Sequence, residues 1–206
     1  MKTSSHSIKI NDDLICQGDI FQDVKYSFIG SDDENELRIV EYSFPYAIIL
    51  SQSCDITHYC KLVKSLNGKT SKIMMSILMC PIYNIESMKN CEHTSEIVSN
   101  LSAFNSKKID SKIEKDLTSF CTRVREVAEN DSHYRFHILN VLDDHKKFEL
   151  LSNHVIDFKH YFCVPIVYLL SNIDNRICRL DTIFSEQITL KFSNYLSRVG
   201  IPDEEK

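Results

Sequence analysis

The period of apolar and polar positions changes along this chain, and each change marks an element. Val24 to Ile29 alternates with period two, as a half-buried strand does. Gly30 to Asn35 is a polar loop, and Leu37 to Phe44 is strand-like again. Pro45 lacks a ladder donor, so it is expected to begin the next strand or to sit at an edge. Tyr46 to Leu50 is a continuous apolar run, predicting a strand covered on both faces. Five small polar residues follow it: Ser51, Gln52, Ser53, Cys54 and Asp55 read as a turn. Residues 57–71 are mixed, with a turn signal at Asn67-Gly68, and Ile73 to Cys80 reads as a second buried strand closed by Pro81.

From Asn84 the period lengthens. Ile109, Ile113, Leu117, Phe120, Cys121, Val124 and Ala128 recur at three- and four-residue steps, one apolar face of an amphipathic helix. Strand character returns at 133–139, 147–151, 155–158 and 164–170, then in Arg176 to Leu180. Thr182 can cap a last helix whose apolar face is Phe184, Ile188, Phe192, Tyr195 and Val199, stopped by Gly200 and Pro202. The expected plan is one α/β (α+β) domain over 1–206. Barrel strands fill about 17–83 and 133–181, a helical insertion fills 84–131, and a C-terminal helix runs over 182–199. Short strands without regular helical crossovers favour an antiparallel, barrel-like sheet.

Composition narrows the function classes. The 206 residues are 43% hydrophobic and 26% charged, ordinary for a globular chain long enough to bury a core without staples. A net charge of -5 argues against a general polyanion binder. No apolar run approaches transmembrane length, and the first residues lack an apolar signal-peptide core, so a cytoplasmic protein without membrane association is expected. The eight cysteines include no Cys-x-x-Cys pair, which in a reducing compartment predicts free thiols rather than disulfides.

Two segments carry candidate chemistry. In the first, Ser51, Cys54 and Asp55 are catalytic candidates, with Gln52 and Ser53 as binding residues. A carboxylate beside a thiol raises its pKa, so a nucleophilic Cys54 needs a histidine or cation nearby, and His58, His133, Arg135 and His137 are the available groups. The alternative is that Ser and Asp satisfy turn donors while Cys54 packs in the core. In the second, His133, Arg135 and His137 share one face of an expected strand, with Tyr134 and Phe136 on the other. Histidines four apart on a strand stand about 13 Å from each other, too far for one metal. That stripe is read as binding, with His133 and Arg135 as its contacts and Arg135 suited to a phosphate or a salt bridge. Cys54-x3-His58 and Cys91-x-His93 miss the common zinc spacings, so neither a metal nor another cofactor is expected. Arg198 fits a helix C-terminus, and Asp157 and Asp181 fit turns or caps.

Over residues 17–84 the chain resembles the MazF/PemK toxin family, whose fold is an SH3-like barrel. The resemblance rests on Gly18-Asp19-Ile20, on Phe44-Pro45 leading the buried strand to Leu50-Ser51, and on Ile77 to Pro81. It implies an SH3-like antiparallel barrel in a toxin–antitoxin or phage-defence system, and a homodimer. In those toxins an arginine beside the proline and a hydroxyl on the later strand support RNA cleavage. Phe44 stands at the arginine's place here, and Ser76 is the hydroxyl. The resemblance therefore implies a module that binds a partner protein or nucleic acid without the ribonuclease chemistry. An endoribonuclease and a thiol or metal enzyme centred on Cys54 are the alternatives. Ser51 to Ile56, with the ending Phe192 to Pro202, also resembles a group of prokaryotic proteins without an assigned activity.

Overall fold

The computed structural model describes residues 4–8, 14–31, 37–66, 74, 76–89, 122, 134–142 and 153–197. They form a mixed α+β structure around a mostly antiparallel eight-stranded sheet. The strands are β1 (Ser4–Ile8), β2 (Asp19–Ser31), β3 (Leu37–Ile49), β4 (Ile77–Asn84), β5 (Phe136–Leu142), β6 (His154–Asp157), β7 (Phe162–Val164) and β8 (Arg176–Leu180). Their order is β3-β2-β8-β1-β5-β6-β4-β7, and β3 also pairs with β4. Among the described residues only β1 and β5 run parallel. The helices are α1 (Ser53–Leu66), α2 (Ile85–Lys89), α3 (Ile166–Ser171) and α4 (Thr182–Leu196).

Two apolar clusters lie on opposite faces of the strands. Strand β4 sends Ile77, Met79 and Tyr83 to one and Leu78, Cys80 and Ile82 to the other. The first is covered by α1, α2 and α3 through Ile56, Ile85, Met88, Ile166 and Leu169. The second is covered by Ile188 and Phe192 of α4. In β2 and β3 the alternation slips once. Phe21 and Val24 face the same cluster, as do Phe44 and Ala47, yet the β2–β3 register is unbroken across the gap. Asp23, in the left-handed region at φ 53°, and Pro45 occupy that point. A paired irregularity there turns both strands together, which keeps one face apolar on either side of the bend.

The structure corrects several sequence expectations. The supposed turn at 53–55 is the first turn of α1, and the helix extends through most of the mixed segment. Ile56, Tyr59 and Cys60 meet the core at helical spacing, a short stripe diluted by polar neighbours. Strand β4 does not close at Pro81 but continues to Asn84. The amide of Leu50 donates to the Leu78 carbonyl at 2.9 Å, so the backbone of alternate residues from Leu78 faces β3 and the nitrogen of Pro81 faces away. On that far side β6 pairs with residues 82–84 and β7 with 77–79, so Pro81 costs no ladder bond. The expected strand at 164–170 is β7 followed by α3, with Pro165 at the helix start, a position that tolerates its missing N–H. Strand β5 begins at Phe136, so Tyr134 and Arg135 lie in a turn and the expected His133/Arg135/His137 face does not form there. The last helix ends at Leu196, and its cap is Asp181, which accepts from the Ile183 amide, rather than Thr182. Strand β1 was not foreseen. The strand expected at 147–151, and the helix at 109–128 apart from helical Thr122, lie outside the described residues, as do His133, Gly200 and Pro202.

Gly18 and Asp19 lock the start of β2. Gly18 has φ 82°, and a Cβ there would meet Ser185 Cβ of α4 at 2.7 Å. Asp19 is fully buried. Its carboxylate accepts from Arg179 Nε at 2.6 Å, Arg176 Nη1 at 3.2 Å and the Cys16 amide at 2.8 Å. Burial pushes the Asp19 carboxyl above its ordinary value, against the lowering effects of Arg179, the Cys16 amide and Arg176. Gly18→Ala combines an unfavourable left-handed backbone with a displaced α4, so a loss of about 2 kcal/mol in urea unfolding is expected.

Candidate functional site

The residues of the polar segment after β3 are anchors. Ser51 Oγ accepts from the Leu78 amide at 2.9 Å, fixing the end of β3 to β4. Ser53 Oγ accepts from the Gln17 amide at 2.9 Å, and Gln17 Nε2 donates to Thr189 Oγ1 at 2.6 Å. The start of α1 is thereby tied to the turn before β2 and, through it, to α4. Cys54 is exposed, not packed in the core, with Sγ 3.5 Å from Gln52 Oε1 and 3.8 Å from Asp55 Oδ1. Gln52, Asp55 and His58 are also exposed. No group of three His, Cys, Asp or Glu placed to hold a metal occurs among the described residues.

Arg135 is engaged elsewhere, in a denser polar group. The strand pairing explains how that group is built. Ile82 faces Ile156 and Met79 faces Phe162, so three steps along β4 match six along the partner. The three extra residues form a short 3-10 turn, Phe158–His160, between β6 and β7. Asp157 caps that turn, accepting from the Lys159 amide at 3.0 Å. It also takes a two-pronged bond from Arg135, Nε to Oδ1 at 2.7 Å and Nη2 to Oδ2 at 2.6 Å. The Arg135 guanidinium lies 4.7 Å from the Phe136 ring centroid, a cation–π contact.

His160 completes the group. Its Nδ1 lies 3.3 Å from Asp157 Oδ2 and 3.1 Å from Tyr83 Oη. The same ring nitrogen thus faces a hydroxyl, which can donate or accept, and a carboxylate oxygen. Burial lowers the His160 pKa; Asp157 raises it, and Arg135 and Lys159 lower it. Burial, then the Asp157 charge, push the Cys80 thiol up well above its ordinary value, and the same two causes lead the rise at Tyr83. Cys80 is therefore an inert thiol and Tyr83 a fixed hydroxyl. Because the folded state favours neutral His160, its contribution to stability is complete above the ordinary histidine pKa. It is lost as pH falls from there through the lowered folded value. Relative to His160→Gln, the wild-type protein is expected to lose stability over that acid window, and the His160 ring to titrate below ordinary histidines by NMR.

Beside this group lies a tyrosine surface that the sequence reading missed. Tyr134 stacks on Tyr195 at 6.2 Å and 15°, Tyr195 meets Phe192 at 6.3 Å, and Tyr161 meets Phe192 edge-on at 5.5 Å. Tyr134 and Tyr161 are 44% and 47% exposed. Burial raises the Tyr195 pKa, with a smaller push from Asp157, which places its hydroxyl within that carboxylate's field. Exposed Lys159 lies on the same turn. The available signal was faint: Tyr134, Tyr161 and Tyr195 are far apart in sequence and meet only through the 3-10 turn and α4.

Phe44 is buried and stacks on Phe162 at 4.4 Å. Ser76 is exposed just before β4. No helix among the described residues is long and apolar enough to cross a membrane. No protein-family model, curated protein or solved structure matches this chain.

Proposed function

We propose that this chain is a MazF/PemK-like, SH3-like barrel module of a prokaryotic toxin–antitoxin or phage-defence system, and that it binds single-stranded nucleic acid without cleaving it. The barrel reading is supported by the pairings, which lead from β3 through β2, β8, β1, β5, β6 and β4 back to β3. The resemblance supplies the family and the biological setting. The non-cleaving reading is supported by Phe44, an uncharged core residue where a phosphate-stabilising arginine would stand.

The observation that carries the binding reading is the pair of exposed tyrosines Tyr134 and Tyr161, with half-buried Tyr195 stacked on Tyr134 and exposed Lys159 on the neighbouring turn. Aromatic faces stack on unpaired bases at about 1–3 kcal/mol per base, and an acidic chain can use that contact where phosphate attraction is weak. Arg135 orders the surface by holding Asp157 and its turn in place. Fluorescence anisotropy with a labelled single-stranded RNA tests the reading. Binding with a shallow salt dependence is expected, weakened roughly tenfold by Tyr134→Ala or Tyr161→Ala, with no cleavage product. Equal affinity for the tyrosine variants, or cleavage of the RNA, refutes it.

A further inference from the structure

We propose that the outer edge of β3, at Ile39, Glu41 and Ser43, receives an extended basic segment of a partner protein as an added strand. This surface is separate from the tyrosine surface and does not depend on it. The outer half of the β2–β3 hairpin, from Val24↔Phe44 to Ser31↔Leu37, pairs only within itself among the described residues. Strand β4 pairs with β3 only over Tyr46 to Ile49.

The direction of the edge groups follows from one hydrogen bond. The Lys25 amide donates to Tyr168 Oη of α3 at 2.8 Å, away from β3. In an antiparallel ladder the N–H and C=O of one residue point to the same side, and pairs alternate. Lys25↔Ser43 is therefore a pair without mutual hydrogen bonds. The backbone groups of Ser43, Glu41 and Ile39 point to the open edge, at the spacing an incoming strand requires. Tyr168 covers the β2 edge at Lys25, whereas β3 has no such cover among the described residues.

Side chains and charge indicate the occupant. Ile29 and Ile39 are cross-strand partners, 71% and 78% exposed, and offer apolar contact beside the open edge. The opposite face holds Tyr26, Phe28, Tyr42 and Phe44 in a chain of ring contacts. The five residues joining β2 to β3 read Asp32-Asp33-Glu34-Asn35-Glu36, four acidic and none basic. A segment alternating β-branched and basic residues complements that charge. A second copy of this chain carries the same acidic link and the same net charge of -5.

The probe is a blocked peptide of alternating lysine and valine, titrated against the full chain and followed by amide hydrogen exchange. Saturable binding is expected, with new protection at the amides of Ile39, Glu41 and Ser43 and none at Tyr42 or Phe44, which already face β2. Glu41→Pro removes one edge donor without touching the β2 ladder, and Ile39→Lys adds opposing charge; each is expected to weaken binding at least tenfold with the circular dichroism unchanged. A glutamate–valine peptide, and a lysine–valine peptide methylated at alternate amides, are expected not to bind. Lack of binding, equal affinity for Glu41→Pro, or protection confined to other residues overturns the proposal. A dimer in sedimentation that Glu41→Pro dissolves also overturns it, in favour of self-pairing.

Discussion

Asp19→Ala is expected to destabilise the protein by about 3–5 kcal/mol, the largest effect of any single substitution considered. Removing the carboxylate leaves Arg176 and Arg179 facing each other at the junction of β2 and β8. Their side chains are only 6% and 17% exposed. The guanidiniums retain the Leu14 carbonyl, at 2.6 Å from Arg179, but that acceptor supplies no countercharge. The Cys16 amide loses its acceptor as well. Urea unfolding followed by circular dichroism measures the loss, with a fall in Tm of roughly 10 °C for a chain of this size. Replacing both arginines by methionine in the Asp19→Ala background is expected to recover part of it, because the two buried charges that lost the Asp19 carboxylate are then gone. A loss under about 1 kcal/mol would mean that the network reorganises around water and is not a structural lock.

Asp157→Ala is expected to cost about 3 kcal/mol and to disorder the 3-10 turn. Asp157 is fully buried and accepts from Arg135 and from the Lys159 amide. Arg135 is 16% exposed and reaches some water, which places the effect at the lower end for a broken buried pair. The substitution also has a spectroscopic signature. Asp157 raises the His160 pKa, so its removal is expected to lower that pKa further, read from the His160 ring protons by NMR. Asp157→Asn keeps an acceptor for Lys159 while losing the charge, so it is expected to preserve more stability than alanine and still lower the His160 pKa. An unchanged His160 titration in both variants would place the imidazole outside the carboxylate's influence.

Much of the local structure was legible in the sequence. Alternation marked β2 and the outer half of β3, a continuous apolar run marked the end of β3, and three- and four-residue spacing marked the buried face of α4. The reading of Asp157 and Asp181 as turn or cap residues agrees with the amides they accept. The misread segments have a common cause. Residues 53–66 and 166–171 are helices with short or partial apolar stripes, and a brief apolar run fits either period. Pro81 suggested a strand end because its cost depends on which side its nitrogen faces, and the neighbouring strands decide that.

The candidate site was less legible for a related reason. Sequence reading selected Ser51 to Asp55 because small polar residues follow a buried strand there, and the structure gives Ser51 and Ser53 long-range backbone partners. It placed His133, Arg135 and His137 on one strand face, but Arg135 lies in a turn and is bound to Asp157. Asp157 sits between apolar residues in Val155 to Phe158, and a charge inside a buried run was the one available hint of a pair.

The sequence by itself determined the α+β class, most strand segments, the closing helix and the absence of a long apolar span, because these follow from local period and composition. Tertiary structure alone decided the strand order, the extra three residues that form the 3-10 turn, the partners of Asp19 and Asp157, and the ring contacts of Tyr134 with Tyr195 and of Tyr161 with Phe192. Those features depend on register and on contacts between distant residues, where a shift of one position changes which side chains meet.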